Sequence, residues 1–118
     1  MTDGERKATS EAFAEAVNMT AADLEEWLED DESKSVGWAN GKLKTKPDGP
    51  ESVGHASGRY IVRILRKTTS ELTDADYRHM RKVVGYVKRH SAQRPKAQIE
   101  GTRWRASLMN WGHDPLKD

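Results

Sequence analysis

The residues of this chain that could carry chemistry are few, and most stand at spacings that fail a known template. Gly49-Pro50-Glu51-Ser52-Val53-Gly54 has the glycine separation of a phosphate-cradling loop, yet His55 stands where such a loop places its lysine, and no apolar strand precedes it. Gly54-His55-Ala56-Ser57-Gly58 sets its serine one position late for a nucleophile elbow, which also needs a strand to strain the turn. Among His55, His79, His90 and His113 no two have the helical spacing with which paired histidines grip zinc. His79 and His90, eleven apart, are roughly co-facial, but their basic neighbours would repel a cation. His113-Asp114 places an acid beside a base. The more ordinary account of it is a helix stop anchored by Trp111, with Asp114-Pro115 as the turn. The chain has 0 Cys, which removes thiol nucleophiles, Cys-ligated zinc, iron–sulfur clusters and disulfides together and makes an intracellular address the default. No catalytic residue, metal site or cofactor is expected; an enzyme using His55, His113 or Asp114 is the minor alternative.

Charge is the more informative feature. The formal net charge is +1, but residues 1–35 carry 11 Asp/Glu against 3 Lys/Arg, whereas residues 36–118 carry 17 Lys/Arg against 8 Asp/Glu. Nine cations crowd residues 78–105, namely Arg78, Arg81, Lys82, Lys88, Arg89, Arg94, Lys96, Arg103 and Arg105, opposed by Glu100 alone. A block of this kind attracts a polyanion if it stays in water. The competing reading folds the acidic N-terminal helices back onto it and leaves a self-neutralised globule.

The elements that must hold these residues are helices. A chain of 118 residues supports one core, and with 35% hydrophobic residues and a mean hydropathy of −0.92 that core is thin. The pattern predicts a first helix over Ser10–Asn18, with Phe13 and Val17 on one face, and a second from Thr20, with Leu24, Trp27 and Leu28 inside and Glu25, Glu26 and Glu29 outside. Residues 36–51 read as a Gly/Pro-rich flexible loop. The phrases Ser35–Gly41 and Ser52–Gly58 share five of seven positions, mostly small residues, which is weak ground for a duplication.

Ser52 is placed to cap a third helix with Val53, Tyr60, Ile61, Ile64 and Leu65 on its apolar side and Arg59, Arg63 and Arg66 opposite. Gly54 and Gly58, one turn apart, let a neighbouring helix or a phosphate approach, helix packing being the commoner cause. A fourth helix opens at Thr73 with Asp76 and runs to about Ser91, burying Tyr77, Met80, Val83, Val84 and Val87. Arg78, Arg81, Lys82, Gly85 and Arg89 make a basic ridge on it. A last helix begins near Thr102 with Trp104, Leu108 and Trp111 in line and Gly112 as its stop. Trp104 and Trp111 read as core, with stacking on unpaired bases as the alternative. The expected fold is therefore an all-α single-domain bundle of four to five short helices without a sheet. Its parts are acidic helices over 1–35, the loop over 36–51 and a basic helical part over 52–118, the third and fourth helices packing antiparallel across Lys67–Leu72.

Several phrases carry a resemblance that spans nearly the whole chain. Val17-Asn18-Met19-Thr20, Leu24-Glu25-Glu26-Trp27-Leu28, Glu51-Ser52-Val53-Gly54-His55, Arg81-Lys82-Val83-Val84-Gly85-Tyr86-Val87, Gln93-Arg94-Pro95, Thr102-Arg103-Trp104-Arg105 and Asn110-Trp111-Gly112-His113-Asp114-Pro115 resemble the family called domain of unknown function 3140. The resemblance implies no mechanism or catalytic residues; members commonly carry the label of DNA-binding protein by automatic transfer. The lysine-rich loop Lys42–Gly49 looks least like the family pattern and is expected to be dispensable for a shared function.

The functional expectation is sequence-tolerant binding of nucleic acid, DNA ahead of RNA, with the nine cations named above on phosphates. A compact recognition-helix motif is not expected. The alternative is an adaptor that self-associates, acidic face to basic face, into a homo-oligomer without nucleic acid. No signal peptide or membrane span is read, so the expected address is cytoplasmic, at the nucleoid if DNA is bound.

Overall fold

A computed structural model describes residues 1–117. Short polar side chains set where each helix begins. Thr2, Thr20, Asp30, Ser52, Thr73 and Thr102 each accept a backbone N–H of the first turn, which supports α1 (Asp3–Ala16), α2 (Ala21–Leu28), α3 (Asp31–Lys34), α4 (Val53–Leu65), α5 (Asp74–Ser91) and α6 (Arg103–Asn110). Caps of this type contribute about 1 kcal/mol each. The starts expected at Thr20, Ser52, Thr73 and Thr102 are found. The first helix begins a full two turns before Ser10, because Thr2 and Glu5 cap one another's backbone reciprocally and leave Ser10 inside the helix. Asp30 adds the extra single turn α3, so the helices number six among the described residues.

One further departure is a two-stranded ladder, β1 (Trp38–Ala39) and β2 (Lys42–Leu43), antiparallel with Trp38 opposite Leu43. Asn40 at φ 53° and Gly41 at φ 75° turn the chain between them. Asn-Gly tolerates both positive φ values and is the strongest short-range hairpin signal. The loop that follows is closed on itself and tied to α6: Lys44 is buried, its Nζ donates to the carbonyls of Asp48 and Pro50 at 3.0 and 2.7 Å, and its own carbonyl accepts from Arg103 at 2.5 Å. The two similar phrases part company here, one entering the hairpin and the other opening α4.

The helices pair across the chain's halves. α1 lies along α5, α2 lies along α4, and α6 touches α2, α3, α4 and α5. The expected direct pairing of α4 with α5 is replaced by contact through side chains, because the rings of Tyr60 and His79, 4.3 Å apart, stand between the two. Phe13, Val17, Met19, Leu24, Leu28, Ile61, Val62, Ile64, Tyr77, Met80, Val83, Val87 and Trp111 form the core. Each fully buried aliphatic side chain among them contributes roughly 1.5–3 kcal/mol. Val53, expected inside, is 56% exposed because it is the first residue of α4 and precedes the stripe that faces α2.

Glycine makes the α4–α6 contact possible. A Cβ on Gly58 would lie 2.5 Å from the Asn110 carbonyl oxygen, and one on Gly54 would lie 2.9 Å from Trp111 Nε1. Beside this contact sits a buried polar hub. Asn110 Oδ1 accepts from Trp27 Nε1 at 2.8 Å and from Ser33 Oγ at 2.5 Å, while its Nδ2 donates to the Ser33 carbonyl at 3.0 Å. The C-terminal stop is stitched to the α1–α2 loop: Asn18 Nδ2 donates to the Asp114 carbonyl at 2.9 Å, and the Asp114 amide donates back to Asn18 Oδ1 at 2.7 Å. No described helix is long and apolar enough to cross a membrane.

Candidate functional site

Residues of α4, α5 and α6 build a row of stacked rings. Tyr60 lies on His79, His79 faces Trp111 at 6.4 Å, Trp111 faces Tyr86 at 4.3 Å, Tyr86 faces His90 at 5.1 Å, and His90 faces Trp104 at 5.9 Å. All interplanar angles are 16° or less. A guanidinium covers each end, Arg63 over Tyr60 at 5.2 Å and Arg94 over Trp104 at 5.7 Å. The helical period explains the row. His79, Tyr86 and His90 are spaced by seven and four on α5, and Trp104 and Trp111 by seven on α6 and its cap, so each set faces one way. Burial, followed by the charge of Lys82, lowers the His79 pKa, and burial lowers that of His90. Burial pushes the Tyr86 hydroxyl up to about 12.

Beside the row opens a cleft of about 290 Å³, walled by Trp38, Tyr86 and Trp111 with Val53 and Gly54, and rimmed by Lys82 and Arg89. Trp38 is 58% exposed and takes part in no stack and no side-chain hydrogen bond among the described residues. Trp27 and Trp104 donate their indole N–H to Asn110 and to the His90 carbonyl, but Trp111 Nε1 has no acceptor among the described residues. It is not sealed from solvent, and the backbone position nearest to it is Gly54, which also lines the cleft.

The nine cations fall into two groups. Arg78, Lys82, Lys88, Arg89, Arg94 and Lys96 are exposed and have no ion-pair partner among the described residues. The other three have partners. Arg81 turns toward α1, donating to Thr9 Oγ1 at 3.3 Å and reaching Glu5 at 3.5 Å. Arg103 donates to the carbonyls of Ser35 and Lys44, and Arg105 grips both carboxylate oxygens of Asp114 at 3.1 Å. Within the set of nine, only Arg81 meets an acid of residues 1–35 among the described residues. The acids of that segment that fold back take other partners, Glu25 pairing with Arg66 at 2.8 Å and Asp23 with Lys117 at 3.8 Å. Arg63, which spacing alone assigns to the outer side of its helix, adds a cation near Tyr60 and His79.

The remaining polar residues hold the fold. His55 Nε2 meets the Leu28 carbonyl at 2.6 Å and its Nδ1 meets Glu51, whose carboxyl Arg59 and His55 hold down at about 2. Burial pushes the Asp76 carboxyl up, but hydrogen bonds from Lys67, the Thr73 amide and Tyr60 outweigh it and hold the group well below the usual carboxylate range. Ser57 Oγ lies 2.9 Å from His79 Nε2, a contact that links α4 to α5; Ser57 is only 5% exposed and His79 is committed to the ring row. His113 faces the Ala16 carbonyl at 2.7 Å, away from Asp114. No group of three or more His, Asp or Glu able to hold a metal ion occurs among the described residues.

A family model described as protein of unknown function (DUF3140) matches residues 12–109. The chain belongs to the DUF3140 family. The DUF3140 stretch takes in Trp38, Gly54, Lys82, Tyr86 and Arg89 of the cleft, while Trp111 lies just past its end. No curated protein and no solved structure matches the chain.

Proposed function

We propose that this DUF3140 protein binds nucleic acid, duplex DNA ahead of RNA, through phosphate contacts that carry little sequence information. The observation that supports the reading is the exposure of Arg78, Lys82, Lys88, Arg89, Arg94 and Lys96 without carboxylate partners among the described residues. Unpaired guanidinium and ammonium groups displace counterions from a phosphate chain, and that exchange gives affinity without reading bases. Such a role would place the protein in the cytoplasm, at the nucleoid.

The test compares two sets of neutralised cations on one labelled duplex. Gln at Arg78, Lys82 and Arg89 together should weaken binding at least roughly tenfold at low salt while leaving helicity intact. Gln at Arg103 and Arg105 should lower thermal stability and leave the affinity of the folded fraction close to that of the parent chain, because those groups already hold backbone carbonyls and Asp114. Equal binding by the first variant would refute the proposal.

A second reading has its own supporting observation. Glu26, Glu29, Asp30, Asp31 and Glu32 are also exposed without ion-pair partners among the described residues, so the acidic face of one molecule could meet the basic face of another. A salt-sensitive homo-oligomer that binds neither duplex nor single strand would favour that adaptor role.

A further inference from the structure

The cleft beside α5 combines features that phosphate contact along a duplex does not use. Trp38 presents a free indole face at its mouth, in a chain with few large apolar residues to leave outside. Lys82 and Arg89 supply positive charge at the rim. The first two amides of the 13-residue α4, those of Val53 and Gly54, have no acceptor among the described residues and open at the positive end of that helix. The fourth feature is independent of the helix end. Trp111 is 5% exposed, yet its N–H is unpartnered and borders the cleft. An aromatic face, an unpartnered indole N–H that solvent reaches and clustered positive charge around about 290 Å³ suit a ligand with a flat ring, a ring acceptor and an attached anion.

We propose that this cleft receives one unpaired nucleotide of a bound strand. Its base stacks on Trp38 with an acceptor toward Trp111 Nε1, and its phosphate sits near Lys82, Arg89 and the start of α4. The inference rests on the nucleic-acid reading above and adds to it a site for single unstacked bases. Trp38 is suited to this role because the other rings near the cleft, Tyr86 and Trp111, already lie against one another. A stacked base gives affinity of every sequence, since every base has a flat face.

The test uses three labelled duplexes at one salt concentration: fully paired, with one extrahelical base, and with an abasic residue in place of that base. The full-length protein should bind the second at least about fivefold tighter than the third. Trp38→Ala should bring that ratio to about one while binding of the fully paired duplex stays within roughly twofold, and Trp38→Phe should restore part of the ratio. Circular dichroism confirms that the variants, altered at an exposed position, keep their helices. Equal binding of the second and third duplexes, with the paired duplex still bound, overturns the nucleotide site alone. Failure to bind any of the three overturns the nucleic-acid reading and the site with it. A nucleoside monophosphate titrated alone is the remaining arm: tight binding of it without a base-to-abasic ratio in strands overturns the strand as the source of the ligand.

Discussion

Tyr86 and Trp111 lie face to face, 4.3 Å between ring centroids and 15° between planes, and this contact joins the middle of α5 to the end of α6. Trp111 continues into a stop that Asn18 binds, so one ring pair links both ends of the chain to its longest helix. Aromatic pairs in such offset arrangements contribute about 0.5–1.5 kcal/mol beyond their buried area. A double-mutant cycle with Tyr86→Leu and Trp111→Leu, followed by urea unfolding, is expected to return a coupling in that range. Strict additivity would show that the two rings act only through bulk.

Acid should destabilise the fold in two steps. His79 and His90 both have folded-state pKa values lowered below the ordinary 6.5, so the unfolded chain binds protons first. Their neutral forms therefore favour the fold fully above about pH 6.5, and stability falls as the pH drops below that value. Asp76 and Glu51 act lower. Their depressed pKa values give stability that is present above the ordinary carboxylate range and lost as the pH falls through it. Melting temperature against pH should show a decline that sets in as the pH drops below about 6.5 and flattens in His79→Gln and His90→Gln, followed by a second decline below about pH 4.5 that persists in both.

Removing the buried hub should cost more than its size suggests. Asn110→Ala leaves Trp27 Nε1 and Ser33 Oγ without their acceptor in a site that is 1% exposed. Each abandoned buried donor costs about 1–3 kcal/mol, so urea denaturation is expected to report a decrease of roughly 2–4 kcal/mol. A decrease below about 0.5 kcal/mol would mean that water or a rearranged chain replaces the amide.

The helices are legible in the sequence because hydroxyl caps and apolar spacing agree at Thr20, Ser52, Thr73 and Thr102. Ser10 misleads as the first start, since a cap residue inside a polar stretch looks the same as one at its edge, and the Thr2–Glu5 box decides between them. Asn40-Gly41 announces a hairpin, but two-residue strands carry no alternation to confirm it. Spacing puts His79 and His90 on a shared face, and Trp104 and Trp111 likewise. That the two faces meet is a property of how α6 crosses α5, which no local spacing encodes. Charge counting finds the basic segment as a whole. It does not separate Arg103 and Arg105 from Lys82 and Arg89, because the groups that hold the first pair, the carbonyls of Ser35 and Lys44 and the Asp114 carboxylate, come together only on folding. Trp38 escapes as a site residue, and Trp111 reads as core, for the same reason: the cleft between them is made from four segments that lie apart in the sequence.

The salt dependence of duplex binding tests the central claim most directly. If about five phosphates are neutralised, log affinity should fall with log salt at a slope near about −4.5, and charge reversal at Arg78, Lys82 and Arg89 should flatten it by about 0.9 for each phosphate no longer neutralised. A protein that binds no duplex at low salt, or whose slope is unchanged by reversing those three charges, would contradict the account.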